Sequence, residues 1–153
     1  MKYELPPLPY PYNALEPYID EQTMRVHHDK HHQTYTEKTN AVLEKYPALA
    51  DTPVEDLLRK LPALEMDEKD RAILRNHGGG YVNHAFFWTV MGPEKEINEE
   101  LAEEAKKTFG SVETCKALLS EAATTHFGSG WAWLVRDPAA GLKIYSLPNQ
   151  DSP

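Results

Sequence analysis

Proline placement constrains this chain more than any other feature. Twelve prolines in 153 residues leave few stretches where a helix can run unbroken, because proline lacks a backbone donor and clashes with the turn before it. Pro6, Pro7, Pro9 and Pro11, interleaved with Tyr10 and Tyr12, exclude a regular helix over the first dozen residues and predict an extended arm that packs against the body. Asp20 is the N-cap of a long helix from about Glu21 to Tyr46, which Pro47 stops. Thr52, Pro53 and Glu55 supply an N-cap, a proline at the first helical position and a capping-box acid, so a short helix runs to about Lys60 and Pro62 closes it. A third helix starts after Asp67 and continues through Ile73, Leu74, Phe87 and Trp88. Gly78, Gly79 and Gly80 interrupt it at a cost of about 1 kcal/mol each. The triple glycine is either a loop or a helix pressed close to a neighbour, and propensity favours the loop.

The pattern changes in the last third. Asn98 caps a helix to Phe109 that Gly110 ends, and Ser111 caps another, carrying Cys115, Leu118 and Leu119, that ends near Gly128. Trp131 to Val135 and Leu142 to Leu147 are β-rich runs joined by the five residues from Asp137 to Gly141, the signature of an antiparallel hairpin. The expected fold class is α+β. A long-helix hairpin over 1–92 precedes a small α/β part with an antiparallel sheet over 93–153, the boundary falling around Met91 to Glu96.

Composition bounds the function. With 41% hydrophobic and 26% charged residues the chain is long enough for one domain, or a helical part plus a small second one, and is not disordered. No apolar run approaches the roughly 20 residues that cross a bilayer. Met1 leads directly into the polar arm, so the expected location is the cytoplasm. A net charge of −8 without clustered Lys and Arg disfavours nucleic acid, and an anionic substrate would need a local positive funnel. The single cysteine, Cys115, excludes an internal disulfide and a cysteine-based zinc cluster. Its apolar helix neighbours predict a buried structural thiol.

Four of the seven histidines lie in His27-His28-Asp29-Lys30-His31-His32. On a helix, His27, His31 and Tyr35 share one face at one-turn spacing. That face is either a metal-chelating pair or a solvated polar stripe. His84, within Asn83-His84-Ala85-Phe86-Phe87-Trp88, is either a ligand or a hydrogen-bonded core imidazole. Trp131 and Trp133 occupy one face of a strand, a stripe that by itself reads as core. The polar turn from Asn149 to Pro153 is expected at the surface.

Taken together and in order, these segments resemble the manganese/iron superoxide dismutase family. The resemblance rests on the arm from Leu8 through Pro17, the His27-His28-x-x-His31-His32-x-x-Tyr35 run, Gly78 to Trp88, Phe127 to Trp133, and Asn149 to Pro153. It implies that His27 and His84 are metal ligands, and that Tyr35 and His31 line an access channel and relay protons. It makes Trp131 part of the hydrophobic wall, with Trp88 and Trp133 behind it, and makes Gln150 the residue that hydrogen-bonds metal-bound solvent. The family's iron branch usually supplies that glutamine from the position held here by Gly80. Glycine at 80 with glutamine at 150 is therefore the manganese-type pattern, and the glycines would leave room for the glutamine. The implied cofactor is manganese, with iron as the alternative, one ion per complete subunit. The implied substrate is superoxide, with Lys30 as the steering charge, and the implied assembly is a homodimer or tetramer, with Phe127 and Ser129 at the interface.

The family pattern also has an aspartate and a histidine ligand in an Asp-x-Trp-Glu-His-Ala segment downstream of the Asn-Gln-Asp-Ser-Pro turn, and no residue of the 153 replaces them. The expectation is a C-terminally incomplete fold with the Leu142 to Leu147 edge unpaired and low solubility. Its two-imidazole site would hold manganese weakly or take copper or zinc instead. The other function these residues admit is a non-catalytic helical module that uses the histidine face for structure or adventitious metal.

Overall fold

Asp20 opens the first helical stretch as its residue type predicts, its carboxylate accepting the Thr23 N–H at 2.8 Å. In the computed structural model, which describes residues 2–93 and 96–153, this stretch runs without a break through α1 (Glu21–Arg25), a π-helical segment (Val26–His32) and α2 (Gln33–Leu43). It ends at Leu43 rather than Tyr46. Tyr46 sits at φ −126°, ψ 70°, outside the helical region, because the Pro47 ring excludes that region for the residue before it. The short helix α3 (Val54–Arg59) starts one residue later than expected, with Pro53 itself in the capping position at φ −51°, ψ 139° and no side-chain cap. The Thr52 cap and the Glu55 capping box are therefore not made.

The triple glycine is helical, not a loop. α4 (Glu68–Ile73), a second π-helical segment (Leu74–Gly78) and α5 (Gly79–Val90) are continuous, and all three glycines are buried. A Cβ on Gly80 would lie 2.6 Å from ring carbons of Tyr35, and one on Gly78 would lie 3.1 Å from the Leu74 and Val54 side chains. Close approach of α2, α3 and α5 thus requires glycine at these positions and outweighs its poor helix propensity.

Val42, Leu43, Leu57 and Leu74 form the core of this first unit, and Tyr3, Leu61 and Ile73 pack against it. Each such burial contributes about 1.5–3 kcal/mol. The arm is extended as predicted and is tied down by the Asn40 side-chain amide, which pairs with the Tyr3 backbone. The Tyr3 N–H donates to Asn40 Oδ1 and Asn40 Nδ2 donates to the Tyr3 carbonyl, both at 2.8 Å.

The second unit begins with α6 (Glu99–Phe109), capped by Asn98, and α7 (Val112–Thr124), capped by Ser111. Gly110, at φ 87°, makes the turn between them. α7 stops at Thr124, short of the Gly128 end expected. β1 (Gly130–Asp137) and β2 (Gly141–Pro148) pair antiparallel with Trp131 opposite Leu147 and Asp137 opposite Gly141, so the connection is tighter than the expected five residues. Among the described residues the sheet has these two strands, and β2 pairs on one side only. Ala105, Cys115 and Leu142 form its core with Phe109, Leu134 and Ile144, and Cys115 is buried as expected.

The chain therefore divides into a helical unit, Met1–Glu94, and an α+β unit, Lys95–Pro153. The boundary expected around Met91 to Glu96 falls partly outside the described residues. Among the described residues no helix is long and apolar enough to cross a membrane.

Candidate metal centre

His27 comes from the first π-helical segment and His84 from α5, and their Nε2 atoms lie 3.1 Å apart. His84 Nδ1 is 2.8 Å from the Gly80 carbonyl. A carbonyl only accepts, so the proton is on Nδ1 and Nε2 presents its lone pair toward His27. Two imidazole nitrogens bound to one ion at about 2.1 Å, at slightly more than a right angle, span such an edge. Burial pushes the His84 pKa down to about 3, and the charges of His27, His31 and His32 add to this, while the Gly80 bond opposes it. Burial also lowers His27, with His31 and His28 contributing. Both imidazoles are thus neutral near pH 7, the form a metal binds. The donor set fits a first-row divalent ion.

The remaining residues expected in the helical unit gather around this pair. The His31 ring lies 5.0 Å from that of His84 and 4.8 Å from that of Tyr35, centroid to centroid. Tyr35 lies 5.3 Å from His84, and Trp88 lies 5.0 Å from His27. Burial grades outward from His84 through half-buried His27 to exposed His31, which places His31 at the mouth. Lys30 is exposed beside it.

Gly80 packs against the face of Tyr35, which is the neighbour that fills the room the glycine leaves. Gly80→Ala should therefore displace the Tyr35 ring and destabilise the protein by about 1–3 kcal/mol, as overpacking does. The check is the urea midpoint, which should fall at constant m-value. An unchanged midpoint would contradict the close packing.

His28 and His32 also stand one turn apart, on a neighbouring face of the same helical stretch. His32, fully buried, has both ring nitrogens engaged: Nε2 donates to the Tyr81 carbonyl at 3.0 Å and Nδ1 accepts from Trp88 Nε1 at 3.0 Å. Its neutral tautomer locks the first helical stretch to α5 about one turn beyond His27. His28 holds the arm, with Nε2 2.8 Å from the Pro6 carbonyl and Nδ1 2.7 Å from Asp29 Oδ1. The signal was present in the i,i+4 spacing, but partners 22 and 49 residues away cannot be read from it.

Burial pushes His32 down to about 4, against the Tyr81 bond. An imidazole whose folded pKa is lowered takes up its proton more readily when unfolded, so stability is full above about pH 6.5 and falls as pH drops toward 4. His84 acts in the same direction. The urea midpoint of the metal-free protein should accordingly decline from pH 7.5 to pH 5, and a flat profile would refute the neutral, buried assignment of His32.

In the second unit Trp131 Nε1 donates to Gln150 Oε1 at 2.9 Å, which joins two of the residues expected to act together. Asn149, at φ 52°, a conformation its short polar side chain tolerates, turns the chain there. Its N–H donates to the Ser129 carbonyl at 2.8 Å and its Oδ1 accepts from Ser129 Oγ at 2.9 Å. Gln150 and Asp151 are consequently half-buried rather than at the open surface. The Trp131 and Trp133 rings lie on one side of β1 with centroids 6.3 Å apart.

Residues 2–92 match the family model for iron/manganese superoxide dismutases, alpha-hairpin domain, and residues 97–153 match that for the C-terminal domain of the same family. The chain belongs to the iron/manganese superoxide dismutase family. It is 48% identical to the superoxide dismutase [Mn] of Salmonella typhi over 153 residues, all of this chain and 73% of that protein. Identity to the superoxide dismutase [Mn] of Thermus thermophilus is 49%, over 99% of this chain and 74% of that protein. The superoxide dismutase [Mn] of Escherichia coli is 48% identical over all of this chain and 73% of its own length. The α+β fold class is that of this family.

Proposed function

We propose that the chain is a superoxide dismutase of the manganese type, converting two superoxide anions and two protons to oxygen and hydrogen peroxide. The observation that carries this is the approach of the His27 and His84 Nε2 atoms to 3.1 Å in a chain that both family models match. The manganese assignment draws on the similar proteins named for that metal and on the sequence pattern of glycine at 80 with glutamine at 150. Iron is the alternative that the family admits.

His27 and His84 would hold the ion; the family pattern completes such a site with an aspartate and a further histidine. The ion would supply a centre that cycles between two oxidation states, which zinc does not. The other residues have parts of their own. His84 is kept neutral by burial and oriented by the Gly80 carbonyl. Exposed His31 exchanges protons with solvent and passes them toward Tyr35, whose ring it touches edge-on. Trp88 closes the inner side against water. Lys30, exposed next to His31, gives an acidic protein a local positive charge toward an anion. In the second unit, the family pattern assigns Gln150 to hydrogen-bond solvent at the ion and Trp131 and Trp133 to the apolar wall. Phe127, fully exposed, supports pairing with a second copy as a homodimer or, doubled, a tetramer.

Superoxide turnover of the manganese-loaded protein, measured alongside metal content by mass spectrometry, tests the proposal. Turnover should rise in proportion to bound manganese. Full manganese occupancy without turnover would overturn it.

A further inference from the structure

His27, His31 and His84 each contribute one ring nitrogen to a cluster in which all three atoms lie within 4.8 Å of one another. The cluster contains no carboxylate. Two of its nitrogens are already at 3.1 Å, and the third belongs to an exposed side chain that can rotate at little cost in packing. His31 stands one turn along the same helical stretch as His27, with ring centroids 5.4 Å apart, and faces His84 at 5.0 Å. A modest χ rotation therefore brings a third imidazole to the point on which the other two converge.

Three imidazoles without a carboxylate make a different site from the three imidazoles and one carboxylate of the family pattern. Manganese favours oxygen ligands and stands at the bottom of the divalent affinity order, whereas zinc and copper favour imidazole. Three histidines with one open position form a well-attested zinc arrangement. We propose that His31 is a swing ligand: it completes a three-histidine site for a zinc- or copper-type divalent ion, in competition with manganese at the same place. His31 thereby governs which metal the protein captures. The inference rests on the assignment of His27 and His84 as metal ligands but not on dismutase turnover.

The test compares zinc and manganese affinities of the full chain and of His31→Gln by competition with a chromophoric chelator. Zinc affinity should fall at least about tenfold in His31→Gln, no less than the loss of an outer-sphere partner costs at the low end, with manganese affinity changed less than about twofold. Copper(II) electron paramagnetic resonance gives a second readout, with three coupled nitrogens in the parent and two in the variant. Unchanged zinc affinity, or an equal loss for both metals, would overturn the proposal. Failure of dismutase turnover with zinc selectivity intact would sink only the catalytic assignment. Because His31 is exposed, circular dichroism should report an unchanged fold.

Discussion

Trp88→Ala is expected to unfold the helical unit under conditions in which the parent protein is stable. Trp88 is 1% exposed, and its ring lies against those of His27, His28 and Phe87 at 5.0, 5.8 and 5.4 Å. Truncating a buried tryptophan costs about 3–5 kcal/mol. The substitution also removes the donor to His32 Nδ1, a fully buried acceptor, and orphaning such a group costs a further 1–3 kcal/mol or so. The sum is comparable with the whole stability of a typical domain, about 5–15 kcal/mol. Trp88→Phe separates the two contributions: it keeps most of the ring volume and loses the N–H, so it should cost markedly less. Urea titrations followed by far-ultraviolet circular dichroism read both variants. Equal losses for the two would show that the hydrogen bond to His32, and not packing, is what Trp88 contributes.

The helical unit was legible where side-chain spacing and helix punctuation agree. Asp20, Asn98 and Ser111 all cap as their residue types predict, and the 3.6-residue period set His27, His31 and Tyr35 on one face, where their rings are found together. Legibility failed where tertiary packing overrides local preference. Gly78, Gly79 and Gly80 look like a loop because each costs helix propensity, yet the Tyr35 ring stands where a Cβ on Gly80 would be, and only a helix lacking side chains there allows the approach. The π-helical segments at Val26–His32 and Leu74–Gly78 had no signal at all, since single-residue register changes leave composition and period nearly intact. The first carries His27, and the second leads directly into α5, which carries His84. His32 was readable as one of a pair but not as a buried lock, because its partners Tyr81 and Trp88 are remote in the chain. Thr52 does not cap α3, because Pro53 occupies the capping position itself.

His84→Leu should leave a folded protein that no longer retains metal. Leucine nearly fills the volume of the imidazole at this buried position, and the Gly80 carbonyl can still accept from the N–H four residues on in α5. Stability in the metal-free state should therefore change by less than about 1.5 kcal/mol, as for other volume-conserving exchanges. The decline in stability toward acid pH should become shallower, since one buried neutral imidazole has been removed. Metal binding should collapse, because the pair with Nε2 atoms at 3.1 Å is reduced to His27 and the exposed His31. Losing an outer-sphere partner costs about 10–100-fold in affinity, and losing a direct donor from so small a set should exceed the upper end of that range for manganese and zinc alike. That loss of both metals distinguishes His84 from His31, whose removal should weaken zinc and copper far more than manganese. Metal content after dialysis against a weak chelator, read beside superoxide turnover, decides the matter: a His84→Leu protein that kept stoichiometric manganese would remove His84 from the metal centre.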